Sequence, residues 1–214
     1  MNIALIIARA CSKRIKNKNI KNFYGKPIIS YSIKTAINSK IFKRVIVSTD
    51  SDKIISISKK FGAETPFVRP KNLADDKTST LQVIKHAIKK LRLNKKYNIC
   101  CIYPVSPNVK KKLLKRTLAM LKAKKADFVV PVAKTINKQK PLHINFEGFI
   151  RKLKIPKRKS ISDTGQFYWG TTKAFLKFKS IFSGKSVGCF VSPKVYIDVN
   201  NYIDWKKLKR NYNK

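Results

Sequence analysis

Glycine is scarce in this chain, with seven in 214 residues. Histidine, with two, and cysteine, with four, are scarcer. Each shortage removes a class of chemistry. No GxGxxG follows an apolar run, so a dinucleotide fingerprint is missing, and no GxxxxGK[ST] marks a P-loop. There is no GxSxG elbow, and two histidines give no evident hydrolase triad. His86 falls in a helical pattern and His143 in an irregular stretch, and both read as packing or surface residues rather than bases. Cys11, Cys100, Cys101 and Cys189 show no CxxC pair and no zinc-like spacing to either histidine. Cys100 and Cys101 lie in an apolar run and read as core thiols, which suits a reduced, cytoplasmic protein. The apolar start is too short for a signal peptide and leads into charge rather than a cleavage site. No run reaches the roughly 18 apolar residues of a membrane helix, so membrane insertion is not expected.

Acids are also few. Lys and Arg number 50 against 10 Asp and Glu, a formal charge of +40. Such a balance fits nucleic acid, an anionic membrane surface or small acidic substrates. Only nine of the bases are Arg, the usual reader of bases and bidentate ligand of phosphate. The Lys residues are spread along the chain rather than gathered in a tail or on one helix face. No specific nucleic-acid partner is therefore expected. Ile and Asn are abundant too, and Lys, Ile and Asn share A/T-rich codons, so drift in composition is a competing source of the charge. Hydrophobic residues make up 43% of the chain, enough for a sizeable core, and the length points to one domain over 1–214.

Strand and helix patterns alternate, as in a parallel sheet covered by helices on both faces. Buried strands are expected at Ile3–Ala8, Val45–Ser48, Ile99–Tyr103, Phe128–Val132, Gln166–Trp169 and Cys189–Ser192. Helices are expected at Ile28–Ile37, Asp52–Phe61, Leu81–Leu91, Leu113–Leu121, Thr172–Phe178 and Tyr202–Arg210. The Lys-rich stretch Ala133–Ser162 reads as a small insertion outside the main sheet.

The stretch Ile3–Pro27 organises the chain. A buried strand feeds a loop with Arg9, Lys13, Arg14, Lys16, Lys18 and Lys21 and no acid, and Gly25-Lys26-Pro27 then leads into a helix. Ligands of α/β folds sit at the carboxyl ends of the strands, so this loop is a candidate phosphate site. A merely solvated basic loop is the competing reading in a Lys-rich chain.

Several strings then line up in order: Ala8-Arg9-Ala10-Cys11-Ser12-Lys13-Arg14, Lys18-Asn19-Ile20 and Gly25-Lys26-Pro27; Val45-Ile46-Val47-Ser48-Thr49-Asp50; Arg69-Pro70, Leu73-Ala74-Asp75-Asp76 and Thr78-Ser79-Thr80. Tyr103-Pro104 with Pro107, the run Asp163–Gly170, and Asp198-Val199-Asn200 follow. In these the chain resembles the cytidylyltransferases that activate nonulosonic (sialic-type) acids, and among them the pseudaminic acid branch, to which Asp163–Gly170 points. The resemblance implies a three-layer α/β/α Rossmann-like nucleotidyltransferase fold with a mostly parallel sheet. It implies attack of a sugar-acid hydroxyl on the α-phosphorus of CTP, with pyrophosphate leaving and Mg²⁺ as cofactor. It places Arg9, Lys13, Lys18, Asn19, Arg69 and Thr80 around CTP, with Arg9, Lys18 and Asp198 catalytic. Tyr103, Gln166 and Tyr168 fall to the sugar acid, and Asp198 and Asn200 to the metal. A homodimer is implied as well.

Three departures stand out. The family's terminal Asp-x-Asp, whose alternation along a strand aims both carboxylates to one side, reads Asp198-Val199-Asn200. An Asn oxygen ligates but brings no charge, so weaker metal binding is expected. The common Gly-Gly of the first loop is Ala10-Cys11. The segment Ala133–Ser162 is short for the family. A cytidylyltransferase for another nonulosonic acid such as N-acylneuraminate, or a degenerate CTP- or polyanion-binding member, are the alternatives.

Overall fold

In a computed structural model of the protein, the structure describes residues 1–134, 142–152, 161–192 and 197–212. The elements in chain order are β1 (Asn2–Ile7), β2 (Asn22–Phe23), β3 (Lys26–Pro27), α1 (Ile29–Ser39), β4 (Arg44–Ser48), α2 (Asp52–Lys60), α3 (Thr80–Lys90), β5 (Asn98–Ile102), α4 (Lys111–Ala123) and β6 (Phe128–Lys134). Then come β7 (Leu142–Ile144), β8 (Ile150–Lys152), β9 (Ile161–Asp163), β10 (Phe167–Thr171), α5 (Thr172–Lys177), β11 (Ser186–Phe190) and α6 (Tyr202–Arg210).

One nine-stranded sheet runs β4-β1-β5-β10-β6-β9-β7-β8, with β11 also on β6. Strands β4, β1 and β5 are parallel, as are β6 and β11. Strand β10 runs antiparallel between β5 and β6. Period-two alternation sorts the core into layers. Ala4, Ile6, Val45, Val47, Cys100 and Ile102 face one side, with Ile29 and Ile33 of α1, Ile54 of α2 and Leu114 and Leu118 of α4. Ile3, Leu5, Ile46, Ile99 and Cys101 face the other, with Ile84 and Ile88 of α3 and Phe175 of α5. Helices thus cover both faces, the three-layer architecture expected. The apolar run of β1 is buried on both sides because it is an interior strand, flanked by β4 and β5 and covered by helices on both faces.

Helix starts follow local chemistry. The Ser51 hydroxyl accepts from Ile54 N–H at 3.4 Å, opening α2. Ser79 and Gln82 form a capping box on α3, and Asn201 and Asp204 another on α6. Tyr24 (φ 48°) and Gly25 (φ 81°) make the two-residue turn of the β2–β3 hairpin, a left-handed pair in which glycine is favoured.

Two expectations are corrected. The stretch 133–162 does not lie outside the sheet: its described parts supply β7, β8 and β9, which extend the main sheet from β6. Three-residue strands in a Lys-rich segment carry too little alternation to read, and their burial comes from packing on Val130 and Val132. The remainder of that stretch falls outside the described residues. The Asp198–Asn200 segment pairs with no strand among the described residues. Its alternation survives nonetheless. Ile197 and Val199 are buried against Ile15, Trp205 and Leu208, so Asp198 and Asn200 turn outward together.

Candidate active site

Strand β1 is the point where the sheet's winding reverses. The chain goes from β1 through α1 to β4 on one side, and later returns with β5 on the other. A crevice opens at the carboxyl ends of such strands. Here it is a cleft of about 600 Å³ with Ile7 at its floor, Arg9 to Asn19 on one wall, Arg69 to Val83 on the other, Tyr103-Pro104 beyond β5, and Asn200.

The first loop is held in place from both ends. Asp50, just past β4, accepts Ala10 N–H at 2.8 Å, and the Asn19 amide donates to the Arg9 carbonyl at 2.9 Å. Asn19 is buried, so it shapes the loop as well as lining the cleft. The Lys18 ammonium donates to the Val199 carbonyl at 2.8 Å and so joins the start of the chain to its end. Burial pulls the Lys18 pKa below the ordinary lysine value, against an opposing pull from Asp198. Arg9 pairs with Asp76, and Lys13 reaches the other oxygen of that carboxylate at 2.8 Å.

Arg69 is the most deeply buried cation of the cleft, 4% exposed, with its Nη2 4.0 Å from Asp50. Among the described residues, its Nε and Nη2 have no hydrogen-bond partner. A buried guanidinium with unmet donors wants an acceptor from a ligand. Thr80, at the first turn of α3, shares a 2.6 Å hydrogen bond with the Tyr103 hydroxyl. The Tyr103 ring meets Tyr168 edge to face at 5.8 Å, and burial raises both phenol pKa values.

Of the residues singled out from sequence, Arg9, Lys13, Lys18, Asn19, Arg69, Thr80, Tyr103 and Asn200 share this cleft. Gln166, Tyr168 and Asp198 do not line it. Gln166 is buried, and its amide donates to the carbonyls of Thr164 at 3.2 Å and Ile197 at 3.4 Å. It therefore tethers the terminal segment from below. Tyr168 donates to Asp163 at 3.3 Å, behind Tyr103. Asp198 is exposed at the rim, over Gly165 (φ 60°), and accepts from the Asn200 amide at 3.1 Å. Sequence reasoning quoted Asp76 in a motif but gave it no role. Its signal was its rarity, an acid in a chain with few.

The sequence model of the family described as Cytidylyltransferase matches residues 3–166. The chain belongs to this cytidylyltransferase family. Among its relatives, the pseudaminic acid cytidylyltransferase of Campylobacter jejuni is 37% identical over 204 residues, covering 90% of this chain and 88% of that one. The CMP-N,N'-diacetyllegionaminic acid synthase of Legionella pneumophila is 27% identical, covering 95% and 92%. Among solved structures, a CMP:2-keto-3-deoxy-manno-octonic acid synthetase complexed with CTP superposes with a TM-score of 0.79 at 13% identity, covering 98% of this cytidylyltransferase and 97% of that chain. At that identity the likeness concerns the fold. No helix among the described residues is long and apolar enough to cross a membrane.

Proposed function

We propose that this cytidylyltransferase joins CMP from CTP to a nonulosonic acid, pseudaminic acid in first place, releasing pyrophosphate. The observation that carries the reading is one cleft holding Arg9, Lys13 and Lys18 beside a buried Arg69 whose Nε and Nη2 lack hydrogen-bond partners among the described residues. A triphosphate brings about four negative charges, and preorganised cations lower its energy most where charge builds up on the leaving pyrophosphate. Arg9 and Lys18 hold the phosphates, with Lys13 toward the leaving group. Arg69 offers its free N–H groups to the cytosine carbonyl, and the α3 start near Thr80 borders the nucleoside. Tyr103, braced by Thr80 and Tyr168, faces the sugar acid. The attacking hydroxyl gives up its proton toward Asp198, at the rim.

The donor set at Asp198 and Asn200 is oxygen-rich, which fits Mg²⁺, an ion that commonly takes one or two carboxylates plus substrate phosphates. Among the described residues no group of three or more His, Cys, Asp or Glu could hold a metal, so substrate oxygens would complete the shell. When bound, the ion supplies charge neutralisation at the phosphates. A homodimer joined through the β7–β8 region, whose Phe146 is fully exposed, extends this reading, and sedimentation velocity tests it. The four unpaired cysteines and the use of CTP suit the cytoplasm.

The test is pyrophosphate release from purified protein with CTP, Mg²⁺ and a panel of nonulosonic acids. Release with pseudaminic acid above all others is expected, and no release with any acid overturns the reading. A weakly active member is the second reading, motivated by Asn200. Release appearing only in Asn200→Asp supports it.

A further inference from the structure

The acids of this chain are few, and nearly all serve its architecture. Asp50 accepts Ala10 N–H, Glu64 takes the Arg44 guanidinium, and Asp52 opens α2. Asp127, Asp163 and Asp204 accept backbone N–H groups at 2.9, 3.0 and 2.8 Å. Asp75 builds its own turn, accepting from Lys77 N–H at 3.1 Å, Thr78 N–H at 2.7 Å and the Thr78 hydroxyl at 2.6 Å.

Asp76 is different. Its two oxygens go to two cations of the opposite wall, one to Arg9 and the other to Lys13. Among the described residues it bonds to nothing in its own turn, which Asp75 already holds. Asp76 and both cations line the cleft. A carboxylate shared between a guanidinium and an ammonium occupies them much as a phosphate would.

We propose that Asp76 is the internal counter-anion of the phosphate cradle, holding Arg9 and Lys13 while the cleft is empty, yielding them to the triphosphate, and retaking them as pyrophosphate leaves. The inference rests on Arg9 and Lys13 being phosphate ligands, as proposed above. With Asp76 between them, the charges of Arg9 and Lys13 are neutralised from within rather than left open to the empty cleft. Half-exposed ion pairs are weak, so a ligand with several charges displaces this one readily. The cost of displacement falls on affinity, and the return of Asp76 speeds product release.

The test is calorimetric binding of CTP, CMP and pyrophosphate to the full chain, with stopped-flow displacement of pyrophosphate. In Asp76→Asn and in Asp76→Ser, CTP and pyrophosphate should bind about three- to tenfold tighter, a size set by the weakness of exposed pairs. Pyrophosphate should leave more slowly by a similar factor, and CMP should change least. The gain should shrink when Lys13→Ala is added to Asp76→Asn. Unchanged or weaker binding in both variants overturns the proposal and makes Asp76 an orienting residue. A large fall in melting temperature also overturns it, since a displaceable counter-ion carries little of the fold. If Arg9→Ala and Lys13→Ala bind CTP like the parent protein, the phosphate reading of the loop fails first, and it fails visibly in those variants rather than in Asp76→Asn.

Discussion

The two ends of the chain meet in one cleft, and they are furnished unequally. The first loop arrives with three candidate phosphate cations, a buried Asn19 beneath them and Asp50 pinning its turn. The terminal segment 197–200 arrives with one carboxylate and one amide at the rim, held by Gln166 from below and Lys18 from the side. The first region is redundant in charge and rigid in backbone. The second has a single negative charge and borrows its position from other elements. Loss of one residue should therefore be graded at the first end and abrupt at the second.

The sharpest way to break this contrast is Asp198→Ala. Pyrophosphate release should fall on the order of 10²–10³-fold, the usual cost of one preorganised electrostatic contact, while calorimetric CTP affinity stays close to that of the parent. A comparable fall in CTP affinity would erase the distinction between the two ends. Next is Lys18→Ala, which removes a proposed phosphate cation and the tie to Val199 together. CTP affinity should weaken about tenfold or more, a charge-assisted bond being worth about 1.5–3 kcal/mol. Lys13→Ala, with its ammonium largely in solvent, should weaken it less. Gln166→Leu should lower stability by about 1–3 kcal/mol in urea melts, because two carbonyls lose a buried donor. The same substitution should reduce turnover without raising the KM for the sugar acid. A raised KM would return Gln166 to the sugar pocket.

Much of this was legible in the sequence, and the limits have physical causes. β1 was readable because a strand buried on both faces is an unbroken apolar run. Arg9, Lys18, Arg69, Thr80 and Tyr103 are legible through the motifs that resemble the family's, and they share one cleft because those motifs follow the carboxyl ends of neighbouring strands. Gln166, expected at the sugar acid, does not line the cleft, and its tie to the distant Ile197 carbonyl is not legible because no local pattern tells a buried amide that braces a loop from one that meets a ligand. Strands β7 to β9 were missed because each is three residues long. Asp76 went without a role because ion pairing across a cleft leaves no periodic trace.

Smaller effects sharpen the comparison further. Asn200→Asp adds a second charge at the poor end, and at limiting Mg²⁺ it should raise turnover several-fold, about what one added carboxylate ligand brings. The pH dependence probes the rich end. Lys18 titrates below the ordinary lysine value because burial disfavours its charged form, while Lys13 titrates above it because Asp76 holds its proton. A lowered pKa means the proton leaves at lower pH, so CTP affinity should decline on the alkaline side as Lys18 neutralises, before Lys13 does. Lys18→Arg should move that decline to higher pH, and an unmoved limb would assign it to another group.

The joint between the two ends also gives the protein an optical gauge. Of its two tryptophans, Trp169 is sealed in the sheet, stacked on Phe42 at 5.3 Å. Trp205 sits instead where α6 meets the hairpin of the first loop, edge-on to Phe23 at 5.8 Å, in a cluster with Tyr24, Tyr31 and Tyr212. Any ligand that draws the loop and the terminal segment together shifts the surroundings of one indole and spares the other. Intrinsic fluorescence thus carries an internal reference and a local sensor in the same spectrum, with no label to attach.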